Sequence, residues 1–149
     1  MRAAAFLTEP IRYPPAVLDR VRRLAEAGGR REACGLVARG PAGWEVVALP
    51  NAAAGADAFE VEPRALLAAL RAIEGRGGAV LAFWHSHVDA PAALSQRDRA
   101  AAATADGEPL WPGVEHLVVA VAMGRAADVA RYRFERGGLV ASPLDASAD

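Results

Sequence analysis

Residues 79–84, Ala-Val-Leu-Ala-Phe-Trp, form an unbroken apolar run that leads directly into His85-Ser86-His87. A short continuous apolar stretch preceded by a glycine pair suits a strand buried on both faces, the centre of a sheet rather than its edge. Side chains alternate along a strand, so His85 and His87 point to one side, where two imidazoles can share one metal ion, while Trp84 and Ser86 face the other way. The end of a rigid central strand is a good place to hold ligands.

Ser95 and Asp98 follow, one helical turn apart. Asp98 offers a hard oxygen, and His/His/Asp plus water is the pattern of three protein ligands and one open position that marks a catalytic rather than a structural zinc site. The same Ser-x-x-Asp heads an alanine-rich run and reads equally as a capping box, with Ser95 accepting from first-turn amides and Asp98 favoured by the helix dipole. Spacing alone leaves both readings open.

His85-x-His87, seven residues, Ser95, two residues and Asp98, with Glu32-Ala33-Cys34-Gly35 upstream, closely resemble the signature of the JAMM (MPN-plus) zinc metallopeptidases. The resemblance runs in order across most of the chain. It implies one Zn2+ per chain held by His85, His87 and Asp98, with Glu32 as general base on the attacking water and Ser95 as stabiliser of the tetrahedral intermediate. It also implies an α+β fold, a single MPN/JAMM-like domain with a central mixed β-sheet flanked by helices in a cytidine-deaminase-like architecture. Many members carry proline directly after the second histidine, where this chain has Val88; Pro91 comes later, so Val88 and Pro91 mark the loop expected to touch substrate.

The activity implied is hydrolysis of a peptide or isopeptide bond after the C-terminal Gly-Gly of a ubiquitin-like or sulfur-carrier protein. One alternative is a metal-dependent amidase acting on a small metabolite or cell-wall peptide from the same site. Another is a non-catalytic MPN interaction module, against which the complete ligand set argues. Periodicity does not choose Glu32 as base over Asp89, Glu60, Glu62 or Glu115; only the resemblance does. His116, outside the motif, reads as structural, and Cys34 as a small apolar strand position rather than a nucleophile.

A chain of 149 residues fits one domain, expected over 1–141 with an aperiodic, mobile tail over 142–149. Its net charge of -1 gives no electrostatic case for nucleic acid or membrane partners. The single cysteine allows no internal disulfide, and no charged-then-apolar leader is apparent, so a cytoplasmic protein is expected. All 17 Lys+Arg residues are arginine, which removes Schiff-base chemistry and any phosphate loop that needs lysine. One cysteine also excludes the Pro-Cys-x-x-Cys of the zinc deaminases, and no His-Glu-x-x-His is present.

Apolar periodicity and breakers predict the remaining elements. An edge strand is expected within 5–13, and a helix from Pro14-Pro15 to Gly28-Gly29. Strands over 33–39 and 44–49 join through a hairpin, and a half-buried strand spans 59–62. A second helix runs from Pro63 to about Gly75. A third is expected from Ser95 to about Ala105, then strands over 117–123 and 129–134 joined by a turn over 124–128, and a short last strand over 139–141.

Overall fold

The structure, a computed structural model, describes residues 9–55, 58–135 and 138–144. Its elements are α1 (Pro15–Ala27), β1 (Cys34–Gly40), β2 (Gly43–Leu49), α2 (Pro63–Gly75), β3 (Ala79–Val88), α3 (Gln96–Ala101), β4 (Glu115–Ala122), β5 (Arg125–Glu135) and β6 (Gly138–Ser142). The strands form one sheet in the order β2-β1-β3-β4-β5-β6, antiparallel throughout except for the parallel pair β3–β4. This is the expected α+β domain built on a central mixed sheet, with the apolar run of β3 at an interior position. None of its described helices is long and apolar enough to cross a membrane.

The period of two sorts side chains onto two layers. Trp84, Leu117, Val119 and Val121 pack beneath Val17, Val21 and Ala25 of α1 on one face. Cys34, Leu36 and Ala38 meet Ile73 and Leu66 of α2 on the other, and Val118, Tyr132 and Leu139 meet Ala102 just beyond α3. Both longer helices begin at proline, whose missing N–H is harmless in the first turn. The glycine of Glu-Ala-Cys-Gly has a packing reason: a Cβ on Gly35 would strike the carbonyl oxygen of Val47 and lie 2.6 Å from Trp84 Nε1. Trp84 Nε1 itself donates to Val47 O at 3.2 Å, so the bare Gly35 backbone makes room for that indole.

Five expectations need correction. Residues 59–62 form no strand; a single antiparallel bridge joins Val61 to Asn51. The third helix stops at Ala101, because Ala103 bridges to Pro109, Thr104 N–H donates to Glu108 O and Leu110 N–H to Ala102 O, so the backbone closes a loop instead of another turn. Between β4 and β5 the turn is the two-residue Met123-Gly124, with φ of 51° and 78°, the geometry of a tight hairpin, and β5 therefore starts earlier than predicted. The expected edge strand over 5–13 lies partly outside the described residues, and its described part, from Glu9, is not a strand. There Ile11 uses side chains as partners: its N–H donates to Glu115 Oε2 at 2.9 Å and its carbonyl accepts from Arg131 Nη1 at 2.5 Å. The tail expected over 142–149 begins inside β6, and its last five residues lie outside the described part.

Candidate metal centre

Strand β3 delivers His85 and His87 to the face that carries α2 and α3, and both are buried. Trp84 and Ser86 point to the α1 face, as alternation requires. The crossover from β3 to the parallel β4 then brings α3 back over the end of β3. Asp98 Oδ2 comes to 3.2 Å from His85 Nε2 and 3.0 Å from His87 Nε2, and the two Nε2 atoms are 3.2 Å apart.

Three ligand atoms on a tetrahedral ion, each bonded at about 2.0–2.1 Å, stand about 3.3–3.4 Å apart. The observed triangle is close to that, and its two nitrogens and one carboxylate oxygen suit a divalent cation of borderline softness. The electrostatics agree. Burial pushes His85 down, against the opposing hydrogen bond and charge of Asp98, and so favours a neutral ring with a lone pair to give. His87 is raised, chiefly by its bond to Asp98. Burial alone would raise Asp98, but hydrogen bonds from both imidazoles win and hold it well below the usual carboxylate range.

Ser95 and Asp98 answer to both readings at once. Asp98 N–H donates to Ser95 Oγ at 3.0 Å and Ser95 N–H donates to Asp98 Oδ2 at 3.0 Å, which is a complete capping box. The same Oδ2 faces the two histidines. The box therefore aims the carboxylate at the imidazoles. It also engages the Ser95 oxygen as an acceptor, and among the described residues the hydroxyl proton meets no acceptor of its own.

Glu32 lies just before β1 and is 8% exposed. It shares with His87, Val88, Pro91, Ser95 and Asp98 the lining of a cleft of about 320 Å³. The chain on either side is pinned: Ala33 N–H donates to Ser86 Oγ at 2.8 Å, and Glu32 O accepts from Asn51 Nδ2 at 2.8 Å. The other acids left open by periodicity are engaged elsewhere or absent from this cleft. Glu62 caps α2, Asp89 Oδ1 accepts from Met123 N–H, and Glu115 pairs with Arg131 and Arg133 at the opposite end of the parallel strands. Glu60 is exposed and borders a second, more apolar groove. Pro91 contributes its backbone: His87 Nδ1 is 2.9 Å from Pro91 O, a contact that places a proton on Nδ1 and leaves Nε2 for a metal.

Two residues escaped the sequence reading. Asn51 satisfies its whole amide, donating to Glu32 O and Ala58 O and accepting from Ala53 N–H and Glu60 N–H. It thereby ties the loop after β2 to Glu32, and Phe59 of that loop stacks on His85 at 4.2 Å. A single asparagine among alanines gave only a turn signal. His116, read as structural, lines the second groove beside Phe83, and burial lowers it to about 4, with the nearby His85 adding to the shift. Cys34 is buried as expected, and burial pushes its thiol up to about 11, with the Glu32 charge contributing.

A profile of the family described as prokaryotic homologs of the JAB domain matches residues 14–136. No curated protein sequence matches. Among solved structures, the solution structure of a protein from Desulfitobacterium hafniense is similar at a TM-score of 0.70 and 20% identity, over 89% of each chain. That of a protein from Salinibacter ruber is similar at 0.66 and 20%, over 93% of this chain and 95% of that one. At such identity these two likenesses bear on the fold alone.

Proposed function

This chain belongs to the family of prokaryotic JAB-domain homologs, the JAMM-type zinc metallopeptidases, and from that premise we propose that it hydrolyses the bond following the C-terminal Gly-Gly of a ubiquitin-like or sulfur-carrier protein. The observation that carries this reading is one cleft that gathers Glu32, His87, Ser95 and Asp98. His87 and Asp98 of that cleft, with His85 beside them, would hold one zinc ion per chain. When bound, zinc supplies Lewis acidity that polarises the scissile carbonyl and acidifies the attacking water toward a pKa of about 7.

The protein's own residues do the rest. Glu32 takes the proton of the attacking water and hands it to the departing amine. Ser95 donates its hydroxyl proton to the oxygen that gains charge as the carbonyl becomes tetrahedral. Pro91, through its carbonyl, keeps His87 in the tautomer that ligates. Val88 and Pro91 line the approach, and a tail running past them must be slim near the cut. Gly-Gly meets that need because neither residue has a side chain and both permit close backbone approach.

The test is a pair of sulfur-carrier-like fusions that differ only in the last glycine, incubated with zinc-loaded protein. Cleavage after Gly-Gly with sharp loss for Gly-Val is expected. Equal cleavage of both, or turnover of a small amide with neither fusion cut, would transfer the site to an amidase acting on small metabolites.

A further inference from the structure

Beside the cleft of Glu32 and Ser95 lies a second groove of about 440 Å³. Its walls are Phe59, Leu66, Phe83, Leu110 and Trp111, and it reaches His85 and Asp98 of the metal cluster. That volume is within the ~300–1,000 Å³ of small-ligand sites, which are mostly apolar with a few placed polar groups. The walls are ordered: Phe83 and Trp111 meet edge to face at 5.2 Å, and Phe59 stacks on His85. Leu110 is nevertheless 51% exposed, one of few large apolar side chains left so open among the described residues.

Arg97 lines both this groove and the cleft of Glu32. It follows Gln96 on the first turn of α3 and is the direct neighbour of Asp98. Among the described residues no hydrogen bond or ion pair engages it, whereas Arg99, two residues on, donates to Leu139 O at 2.8 Å. The acids nearest it in sequence and in the cleft have other duties: Asp98 faces the two imidazoles, and Glu32 is buried beside them. An unpaired guanidinium between an apolar groove and a hydrolytic centre is a fork suited to a carboxylate.

We propose that Arg97 and the apolar groove form the subsite for the leaving residue: a C-terminal amino acid with a large apolar side chain, whose free α-carboxylate pairs with Arg97. This rests on the metallopeptidase reading and narrows it, since only the residue on the amine side of the cut can carry both a terminal carboxylate and the freed nitrogen. The reaction balances with water alone. Its oxygen joins the acyl carbon to form the new C-terminal carboxylate, the C–N bond breaks, and the apolar amino acid departs as the amine. The subsite thus favours release of a terminal residue placed after Gly-Gly over cutting within a longer chain.

Peptides ending Gly-Gly-Leu as the free acid and as the carboxamide, with Gly-Gly-Ser as a side-chain control, test this on zinc-loaded wild type, Arg97→Gln and Arg97→Lys. Binding of the same pair with the scissile amide reduced to a methylene amine is measured in parallel by calorimetry. For wild type, a preference of about tenfold or more for acid over carboxamide is expected in both kcat/KM and affinity, the scale of one charge-assisted hydrogen-bonded pair. Arg97→Gln brings that ratio near one and Arg97→Lys leaves it intermediate, while leucine is preferred to serine in every variant. An acid-to-amide ratio near one in wild type, or one unmoved by Arg97→Gln, overturns the subsite even if both peptides are cut. Acid-selective binding that disappears in Arg97→Gln sustains it even if neither peptide is cut, in which case the Gly-Gly hydrolysis reading is what fails.

Discussion

Replacing Glu115 by alanine separates what holds this fold from what its site does. Glu115 is 3% exposed and accepts from Ile11 N–H, Tyr13 Oη at 2.8 Å, Arg131 Nη1 at 3.3 Å and Arg133 Nε at 3.1 Å. Arg131 in turn donates to the carbonyls of Ile11 and Pro143, so this one carboxylate ties the segment before α1, strands β4 and β5, and the chain after β6. Removing it leaves a buried guanidinium without its counter-charge, and breaking such a pair from one side destabilises by roughly 3–5 kcal/mol. For a domain of this size each kcal/mol moves the melting temperature by about 2–4 °C, so a fall of roughly 6–20 °C is expected. Thermal and urea unfolding followed by circular dichroism measure it, alongside zinc content and peptide hydrolysis at a temperature where the variant stays folded. Zinc content should be unchanged, because Glu115 stands at the opposite end of the parallel strands from the histidines. A loss below about 1 kcal/mol would place the network among weak solvated ion pairs and refute the reasoning.

Asp98→Ala should remain folded, since only half of a capping box is lost, at about 0.3–1 kcal/mol, while zinc measured by elemental analysis falls from one per chain to near none; full occupancy would leave Asp98 with the cap alone. Glu32→Gln should keep its zinc yet lose about 10²-fold or more in kcat, the scale of a general base; zinc loss, or retention of most activity, would show that Glu32 has another role. Cys34 should resist alkylation at pH 8 in the native protein and react on unfolding. Thiolate is the reactive form and burial holds the folded thiol up at about 11, so the folded state disfavours ionisation; that preference stabilises the fold below the unfolded thiol's range and is lost as pH rises through about 11. Rapid native labelling at pH 8 would contradict that burial.

The fold was legible wherever one period ruled a whole element. The apolar run of β3 and the 3.6-residue spacing of α1 each bury one consistent set of side chains, so pattern and structure agree, whereas in α2 Leu66, Leu70 and Ile73 turn inward and Leu67 of the same apolar stripe stays 48% exposed. It was illegible where long-range contacts decide. Phe59 and Val61 alternate with acids like a strand, yet that segment is fixed by Asn51 and by Phe59 resting on His85, neither of which is local in sequence. Alanines after Ala101 carry no signal against a helix. What ends α3 is the pairing of Ala103 with Pro109, set by the return of the chain toward β4.

For the site, residue types and spacing were legible and their supports were not. Alternation fixed the common direction of His85 and His87, but Ser-x-x-Asp carried two meanings that sequence treats as rivals. They are one arrangement: the capping bonds that satisfy the first turn of α3 also point Asp98 Oδ2 at both imidazoles. A hydrogen bond from a backbone amide to a side chain three residues away is local and predictable, whereas its second consequence exists only because the β3–β4 crossover lays α3 over the end of β3. The supports of Glu32 follow the same logic, since Ser86 is set by strand parity while Asn51 reaches Glu32 through the hairpin between β1 and β2. Local chemistry therefore names the groups that can react, and the topology decides which of them meet. That is why Glu115, as acidic as Glu32 on paper, ends as an anchor at the far end of the sheet while Glu32 faces the cleft.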